Sequence, residues 1–336
     1  MPRSEIAIDL GALRRNVRTL LRALDGAELW AVVKANGYGH GAVDCAGAAL
    51  GAGATALCVA TVAEALELRR AFGDARILVM GPTTSREIAA ARDASLELVV
   101  GDEIPEGVRV HVKLDTGMGR WGISELVRVE REVVGLMTHL ATADCDLEFA
   151  RQQVRRFSDA TASFSDLNRH AANSAAALRL PEARFDAARC GIALYGLSPW
   201  GEPVPELEPV LSWTSEVALS KLLRAGESTG YGRRFVADRD TWIGIVPVGY
   251  ADGFRRDLTG TEVRVAGELR TVVGVVSMDA FAVELDRELP PGTPVTLAGR
   301  GVPLESHARV ADTIAYELAC AINGDPRRAR RVVIDS

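Results

Sequence analysis

The first 200 residues alternate short apolar runs with stretches in which apolar side chains recur every three or four positions. The first pattern is typical of buried strands, and the second is typical of amphipathic helices. Residues 63–72 and 148–164 are two clear helical stretches. Eight apolar runs predict strands, at residues 29–35, 56–60, 76–80, 96–100, 109–114, 133–140, 170–173 and 187–194.

These strands mostly follow one another at intervals of roughly 20 to 35 residues, which suits βα units and a parallel sheet. Eight such units in about 200 residues indicate an α/β fold with an N-terminal (β/α)8 barrel. A doubly wound sheet is the alternative, but we find no G-x-G-x-x-G motif opening a helix.

The pattern changes at Ser198, where SPWGEPVPELEP suggests a linker or a domain edge because of its four prolines. Turn residues then separate short apolar runs, with little helix before residues 308–321. We therefore expect a barrel domain at residues 8–206 and a mostly-β domain at residues 207–336 that also includes residues 1–7. The predicted strands of the second domain are residues 211–219, 241–248, 262–265, 270–276, 282–285 and 294–297.

Composition excludes several classes of partner. The net charge of −6 argues against a nucleic acid or an anionic membrane, because both need a basic surface. The five cysteines form no C-x-x-C pair, which suggests reduced thiols and no metal site. The N-terminal segment MPRSEIAIDL lacks the apolar stretch of a signal peptide. We expect a soluble cytoplasmic protein with a small-molecule substrate.

Lysine is rare in this chain. Of 39 Lys and Arg residues, only Lys34, Lys113 and Lys221 are lysine. Lys34 lies in AVVKANGYGHG, where an apolar run ends and a glycine-rich turn begins. The apolar run would desolvate the amine, and a desolvated lysine can form a Schiff base with a carbonyl. The alternative is a lysine whose amine simply reaches solvent.

Polar residues gather at the carboxyl ends of the predicted strands, where barrel enzymes carry out their chemistry. Pyridoxal phosphate needs an amine, a phosphate site and a partner for its pyridine nitrogen. Ser174, before the helical stretch 175–180, and the backbone of Gly191 and Ile192 are candidates for the phosphate site. The strand-end residues are Lys34, Lys113, Asp115, Arg120, Thr138, His139, Asn173, Ser174 and Arg189.

AVVKANGYGHG resembles the lysine motif of the alanine racemase family. VKLDTGMGRWGI, THLATAD, HAANSAA, ARCGIALYGL, STGYG, PVGYADG and VSMD follow in that family's order, as far as about Tyr316. The resemblance implies a pyridoxal phosphate barrel and a C-terminal β domain. It also implies a head-to-tail homodimer that builds each active site from both chains. The implied activity is the interconversion of L- and D-alanine, which supplies D-alanine for peptidoglycan.

The resemblance implies two acid/base groups on opposite faces of the substrate. Lys34 resembles the Schiff-base lysine and the base of one face. Tyr231 in STGYG resembles the base of the other face, supplied by the partner chain. A tyrosine with its reference pKa of about 10 is a poor base at neutral pH and needs nearby cations. The resemblance places His139 and Arg189 beside it.

Arg189 resembles the arginine that faces the pyridine nitrogen. Because a guanidinium only donates hydrogen bonds, that nitrogen stays neutral and the ring is a weaker electron sink, which disfavours transamination. Arg120 resembles the residue at the cofactor phenolate and the substrate carboxylate, and Met278 resembles a substrate contact from the partner chain. The remaining cofactor contacts implied by the resemblance are Tyr38, His139, Asn173, Ser174, Gly191, Ile192 and Tyr316.

In many members of the family the lysine matched by Lys113 is carbamylated, and the resemblance implies the same modification here. It would turn repulsion between Lys113 and Arg120 into an attractive pair; a salt bridge from Lys113 to Asp115 is the alternative.

The chain departs from the family at the substrate corridor. Val275 stands where some relatives have an arginine that pairs with the acidic residue matched by Asp144, although Tyr250 keeps the corridor tyrosine. Valine cannot form that pair, so a racemase of broad specificity is an alternative hypothesis. A decarboxylase of the same architecture and a non-catalytic pyridoxal phosphate carrier are two others.

Overall fold

The structure is a computed structural model that describes residues 3–126 and 131–336. In the first 200 residues, strands and helices alternate. The strands are β1 (Ser4–Asp9), β2 (Glu28–Val32), β3 (Ala56–Val59), β4 (Ile77–Val79), β5 (Glu97–Val100), β6 (Val110–Lys113), β7 (Val133–Met137), β8 (Asn168–His170) and β9 (Ala187–Cys190). The helices are α1 (Leu10–Leu24), α2 (Lys34–Tyr38), α3 (Ala42–Gly51), α4 (Val62–Ala71), α5 (Ser85–Asp93), α6 (Leu147–Thr161) and α7 (Ser174–Arg179).

Beyond residue 200 the chain is mostly β. Its strands are β10 (Leu211–Val217), β11 (Leu219–Leu223), β12 (Ser228–Thr229), β13 (Phe235–Val236), β14 (Thr241–Val246), β15 (Glu262–Val265), β16 (Glu268–Val273), β17 (Phe281–Leu285), β18 (Thr293–Ala298) and β19 (Ala329–Ile334). Its helices are α8 (Leu304–Val310) and α9 (Ala315–Ala321). Within residues 3–126 and 131–336, no helix combines the length and apolar character that crossing a membrane requires.

The chain divides into two compact units, Leu13–Trp200 and Gly201–Ser336 together with the residues before Leu13. In the first unit, β2 to β9 form a closed barrel in chain order, in which β9 also pairs in parallel with β2. The predicted barrel is confirmed, and the doubly wound sheet is excluded because such a sheet is open. Among the described residues, no α-helix separates β5 from β6 or β6 from β7.

The barrel interior is more polar than usual, since branched aliphatic residues fill most barrels of this kind. Glu97, His111, His170 and Arg189 are all buried on barrel strands. The ring of Trp30 packs against both imidazoles, with ring centroids 5.6 and 4.5 Å away. Buried polar groups need partners, so these side chains constrain one another.

All eight predicted barrel strands differ from the structure by at least one residue, and three of the differences have a clear local cause. The strand predicted at 29–35 ends at Val32, because residues 35–37 adopt left-handed φ angles. The strand predicted at 170–173 is Asn168–His170, since the chain then leads directly into α7. The strand predicted at 187–194 ends at Cys190, because a 3-10 turn follows at Ile192–Tyr195.

The second unit contains a nine-stranded sheet in the order β11-β14-β17-β16-β15-β18-β10-β1-β19. β1 pairs antiparallel with β10 and parallel with β19, so the two ends of the chain meet in one sheet. The sequence analysis did not predict β1 or β19. The helix predicted at 308–321 is two helices, because the chain turns at Asp312 with a φ of 49°.

Candidate active site

Lys34 lies in a distorted turn at the carboxyl end of β2. It is half-buried and begins α2, two residues beyond the strand. Ala35, Asn36 and Gly37 follow with φ angles of 52°, 52° and 62°. Left-handed φ angles are costly for residues with a Cβ, and such strain concentrates at functional sites. This turn therefore marks Lys34 as a candidate functional residue on structural grounds.

Glu64 holds the Lys34 turn in place. One carboxylate oxygen accepts a hydrogen bond from the Ala35 N–H at 2.7 Å. The other accepts from Ala60 N–H at 2.9 Å and Thr61 N–H at 3.0 Å, at the start of α4. One side chain thus ties the turn after β2 to the end of β3. Glu64 is not among the predicted site residues, because in the sequence it resembles an ordinary helix-capping glutamate.

Ser174, Gly191 and Tyr38 meet after the last two barrel strands. The Ser174 Oγ accepts hydrogen bonds from the N–H groups of Gly191 at 3.0 Å and Ala193 at 3.4 Å. A Cβ on Gly191 would lie 2.5 Å from the Tyr38 Oη, so only glycine fits beneath that ring. Asn173 caps α7 by accepting from the Ala176 N–H. The result is a cluster of O–H and N–H donors at the rim.

Arg189 is buried, and two of its nitrogens are fully engaged. Nη1 lies 2.6 Å from Nδ1 of His170 and donates to the carbonyl oxygen of that residue at 2.9 Å. Nη2 donates to the carbonyls of Thr138 and Ala171 and lies 3.3 Å from Nδ1 of His139. The Nε–H donates to no described residue. Burial lowers the pKa of Arg189 to about 10, so it stays cationic at neutral pH.

His139 is a neutral imidazole surrounded by cations. Burial lowers its pKa to about 3, and the charges of Arg189, Lys113, Arg120 and Lys34 act in the same direction. Since Arg189 can only donate, Nδ1 of His139 is the acceptor and Nε2 carries the proton. Four basic side chains, carried by β2, β6 and β9 or the turns that follow them, therefore act on one imidazole.

Lys113, at the end of β6, is a second buried amine, with 2% of its surface exposed. Its Nζ lies 4.7 Å from the centre of the Trp121 ring, and the Arg120 guanidinium lies 4.2 Å from that centre. Burial, followed by the charges of Arg120 and Arg189, lowers the pKa of Lys113 to about 8.

The structure does not contain the alternative salt bridge from Lys113 to Asp115. The Asp115 carboxylate accepts hydrogen bonds from the backbone N–H groups of residues 117–119. The side-chain amine of Lys113 forms no hydrogen bond or ion pair with any described residue. A buried amine thus lies beside Arg120 without a salt bridge, and the charge of Asp115 offsets this costly arrangement only in part.

In the second unit, Tyr231 follows β12 on a short exposed turn. Gly230 and Gly232 flank it with φ angles of 75° and 71°, which glycine adopts without strain. The Tyr231 side chain is 72% exposed.

Tyr250 and Met278 lie on adjacent turns of the same unit. The N–H of Tyr250 donates to the carbonyl of Ser277 at 3.1 Å, and a Cβ on Gly249 would overlap residue 278. Tyr250 is 43% exposed and Met278 is 52% exposed. Tyr250 lines a cleft of about 520 Å³ together with Val275. Tyr316 is half-buried on α9.

The predicted site residues therefore form two groups. The barrel unit brings together Lys34, Tyr38, Lys113, Arg120, His139, Asn173, Ser174, Arg189, Gly191 and Ile192, and it carries Asp144 on an exposed loop before α6. The second unit carries Tyr231, Tyr250, Val275, Met278 and Tyr316.

The fold and these side chains define a class of barrel protein. An amine, a cluster of phosphate-type donors and a buried guanidinium share the carboxyl rim of a closed eight-stranded barrel. The pattern of the alanine racemase N-terminal domain matches residues 8–199, and that of the C-terminal domain matches residues 210–332. The chain belongs to the alanine racemase family, whose members depend on pyridoxal phosphate.

Known members of the family are similar over almost their whole length. Alanine racemase 1 of Bacillus subtilis is 40% identical, with 94% of this chain and 90% of that protein covered. The alanine racemase structure from Streptomyces coelicolor has a TM-score of 0.90 at 38% identity, covering 99% of this chain and 98% of its own. The biosynthetic alanine racemase from Pseudomonas aeruginosa has a TM-score of 0.92 at 34% identity, covering 99% and 100%.

The residues at the barrel rim fit this cofactor. The N–H groups of Gly191 and Ala193 both donate to the Ser174 hydroxyl, which places three phosphate-type donors side by side. Tyr38 adds a hydroxyl directly above Gly191. The Nε–H of Arg189 is a donor that the described residues leave unused, and it suits a neutral ring nitrogen.

The low pKa of His139 predicts a pH dependence of stability. The unfolded chain takes up a proton near the ordinary histidine pKa of about 6.5, whereas folded His139 takes it up only near pH 3. Between these values the unfolded state binds more protons, so stability falls as the pH falls. We expect His139→Gln to reduce this slope by up to about 1.4 kcal/mol per pH unit. Urea unfolding between about pH 7 and about pH 5 measures it; parallel slopes for the two proteins would contradict a neutral His139.

Proposed function

We propose that this protein is an alanine racemase that interconverts L- and D-alanine with pyridoxal phosphate bound at the barrel rim. The observation that carries the proposal is the meeting of Lys34, the Ser174–Gly191 cluster and Arg189 on one rim, in a chain that matches the family along its length. We assign the cofactor to residues 8–206 and the second base to the domain of residues 207–336 and 1–7.

We infer the following roles for the residues at the rim. Lys34 holds the cofactor through its amine, and Arg189 donates its Nε–H to the pyridine nitrogen. Arg120 binds the carboxylate of alanine, with Met278 of the partner subunit as a further substrate contact. The phosphate and ring contacts come from Tyr38, His139, Asn173, Ser174, Tyr316 and the backbone of Gly191 and Ile192.

Bound pyridoxal phosphate acidifies the α-proton of alanine by withdrawing electrons from Cα. Lys34 removes or returns that proton on one face, and Tyr231 of the partner chain does so on the other. One proton leaves and one arrives, so no further reactant is needed. Arg189 cannot protonate the ring nitrogen, which limits electron withdrawal and disfavours transamination.

The exposed side chains of the second unit support a head-to-tail homodimer. Tyr231, Tyr250 and Met278 are all large, and each is at least 43% exposed. Exposed apolar side chains of this size mark interaction sites. The second copy would cover them and would bring Tyr231 to the rim of the other barrel.

We place the enzyme in the bacterial cytoplasm, where its D-alanine would supply peptidoglycan precursors. The relatives compared above are bacterial proteins. None of the five cysteines forms a disulfide in the structure, as is usual in a reducing compartment.

The activity can be tested with two of the three lysines of the chain. We expect the protein loaded with pyridoxal phosphate to convert L-alanine into an equal mixture of both enantiomers, because enantiomers have the same free energy. Lys34→Ala should reduce the rate by at least about a hundredfold, the usual contribution of an acid/base group. Lys221→Ala, which removes an exposed amine on β11, is the matched control and should leave the rate unchanged. Chiral chromatography measures both enantiomers.

A panel of larger L-amino acids separates the remaining hypotheses. Similar rates for larger side chains would favour a broad-specificity racemase, for which Val275 in the corridor cleft is the first candidate cause. Cofactor bound at Lys34 without any D-product would contradict a racemase and leave a decarboxylase or a carrier.

We also propose that Lys113 is carbamylated. Its free amine attacks carbon dioxide, forms an N–C bond and releases one proton, which leaves an anionic carbamate. An amine with a pKa of about 8 is partly deprotonated at neutral pH and can react in this way. The carbamate would replace repulsion between Lys113 and Arg120 by attraction, which neither Asp115 nor any other described carboxylate provides.

We expect ¹³C-bicarbonate to give one protein-bound carbamate signal in carbon NMR. The signal should grow as the pH rises through about 8, because only the neutral amine reacts. Lys113→Gln should remove it and Lys221→Gln should not. A signal that persists in Lys113→Gln, or its absence from the wild-type protein, would contradict this modification.

A further inference from the structure

A line of buried side chains crosses the barrel interior from Arg189 to Glu97. Nη1 of Arg189 lies 2.6 Å from Nδ1 of His170. Nε2 of His170 lies 2.9 Å from Nδ1 of His111. Nε2 of His111 lies 2.9 Å from a carboxylate oxygen of Glu97. We call these four side chains the barrel relay.

The hydrogen bonds of the barrel relay can run in only one direction. Arg189 has no acceptor, so Nδ1 of His170 must accept and its proton must be on Nε2. That proton is donated to Nδ1 of His111, whose own proton is then on Nε2 and is donated to Glu97. Burial lowers the pKa of both histidines, which keeps each imidazole neutral with a single proton.

Packing leaves the two imidazoles little freedom to turn. Trp30 lies against both rings. On β7, Gly135 pairs with His111, and a Cβ at that position would overlap the imidazole. With the rings fixed, the positions of the protons are the remaining variable.

The carboxylate of Glu97 is the hydrogen-bond acceptor at the end of the barrel relay. One of its oxygens accepts from His111 and from Nε of Arg76 at 2.8 Å. The other lies 2.9 Å from Arg109 at the barrel exterior. A second nitrogen of Arg76 is already 3.4 Å from Nε2 of His111. Without Glu97, Arg76 is therefore the nearest donor to that nitrogen.

If Arg76 donated a hydrogen bond to Nε2 of His111, the protons of both relay histidines would move to their other ring nitrogens. His111 would carry its proton on Nδ1, facing the Nε2 proton of His170. To avoid that clash His170 would move its proton to Nδ1, where it would face the guanidinium of Arg189. Two donors in contact would push the guanidinium out of place.

We propose that Glu97 is a positioning residue for Arg189, which acts through His111 and His170 to fix the proton positions and thereby the direction of the guanidinium. The inference rests on the proposed function only in assuming that the Nε–H of Arg189 faces the cofactor ring. Glu97 itself touches neither the cofactor nor the substrate.

The test is nitrogen NMR of the holoenzyme labelled with ¹⁵N-histidine, which reports the protonated nitrogen of each imidazole. The chain has five histidines, and His111→Gln and His170→Gln assign the two that matter. We expect both to be protonated on Nε2 alone in the wild type. A proton on Nδ1 of either residue would overturn the proposal.

Variants at the end of the relay then test the role of Glu97. Glu97→Gln keeps an acceptor and should keep the wild-type proton positions. Arg109→Gln, which removes only the outer partner of the carboxylate, should keep them as well.

Glu97→Leu should move the protons of His111 and His170 to Nδ1 and lower turnover by about a hundredfold, the cost of a misplaced active-site group. If that variant does not fold, Glu97→Asp keeps the charge but withdraws it from His111, and the same proton shift is expected.

Wild-type proton positions in both Glu97→Leu and Glu97→Asp would overturn the proposal. So would proton movement in Arg109→Gln equal to that in Glu97→Leu. Failure of the wild-type protein to racemise alanine would contradict the proposed function instead, because the proton positions are measured without turnover.

Discussion

The buried guanidinium of Arg189 is the constraint on which the rest of the site depends. A cation inside a barrel is costly unless each donor finds an acceptor. Three strand-end carbonyls and two imidazoles provide those acceptors, which fixes how β7, β8 and β9 lie against one another. The polar interior that looks anomalous for a barrel is therefore the environment that one arginine requires.

Arg189 is also one of four cations that determine the electrostatics of the rim. Burial keeps the His139 imidazole neutral, and the charges of Arg189, Lys113, Arg120 and Lys34 act in the same direction. The carboxylate of Asp115, which follows β6, is occupied by backbone N–H groups. Such a concentration of positive charge suits ligands that carry a phosphate and a carboxylate, which is what pyridoxal phosphate and alanine bring together.

The sequence predicted the barrel and most of its rim, because strand periodicity and the position of chemistry at strand ends are local or general rules. It could not predict the barrel relay. Glu97, His111 and His170 are single polar residues in short strands, and their pairing spans 14 and 59 positions. Strand ends were also missed where residues with a Cβ take left-handed angles, as Ala35 does. β1 and β19 escaped prediction because each is stabilised by the opposite end of the chain.

The most direct test of a site built by two chains is to mix Lys34→Ala with Tyr231→Ala after separate purification and to allow the subunits to reassort. Each variant alone should be inactive. In a mixed dimer, one barrel keeps Lys34 and receives Tyr231 from its partner, while the other has neither. Random reassortment gives half mixed dimers with one complete site of two, so the mixture should recover about a quarter of wild-type activity. A mixture no more active than the separate variants, with mixed dimers demonstrated, would contradict the shared site.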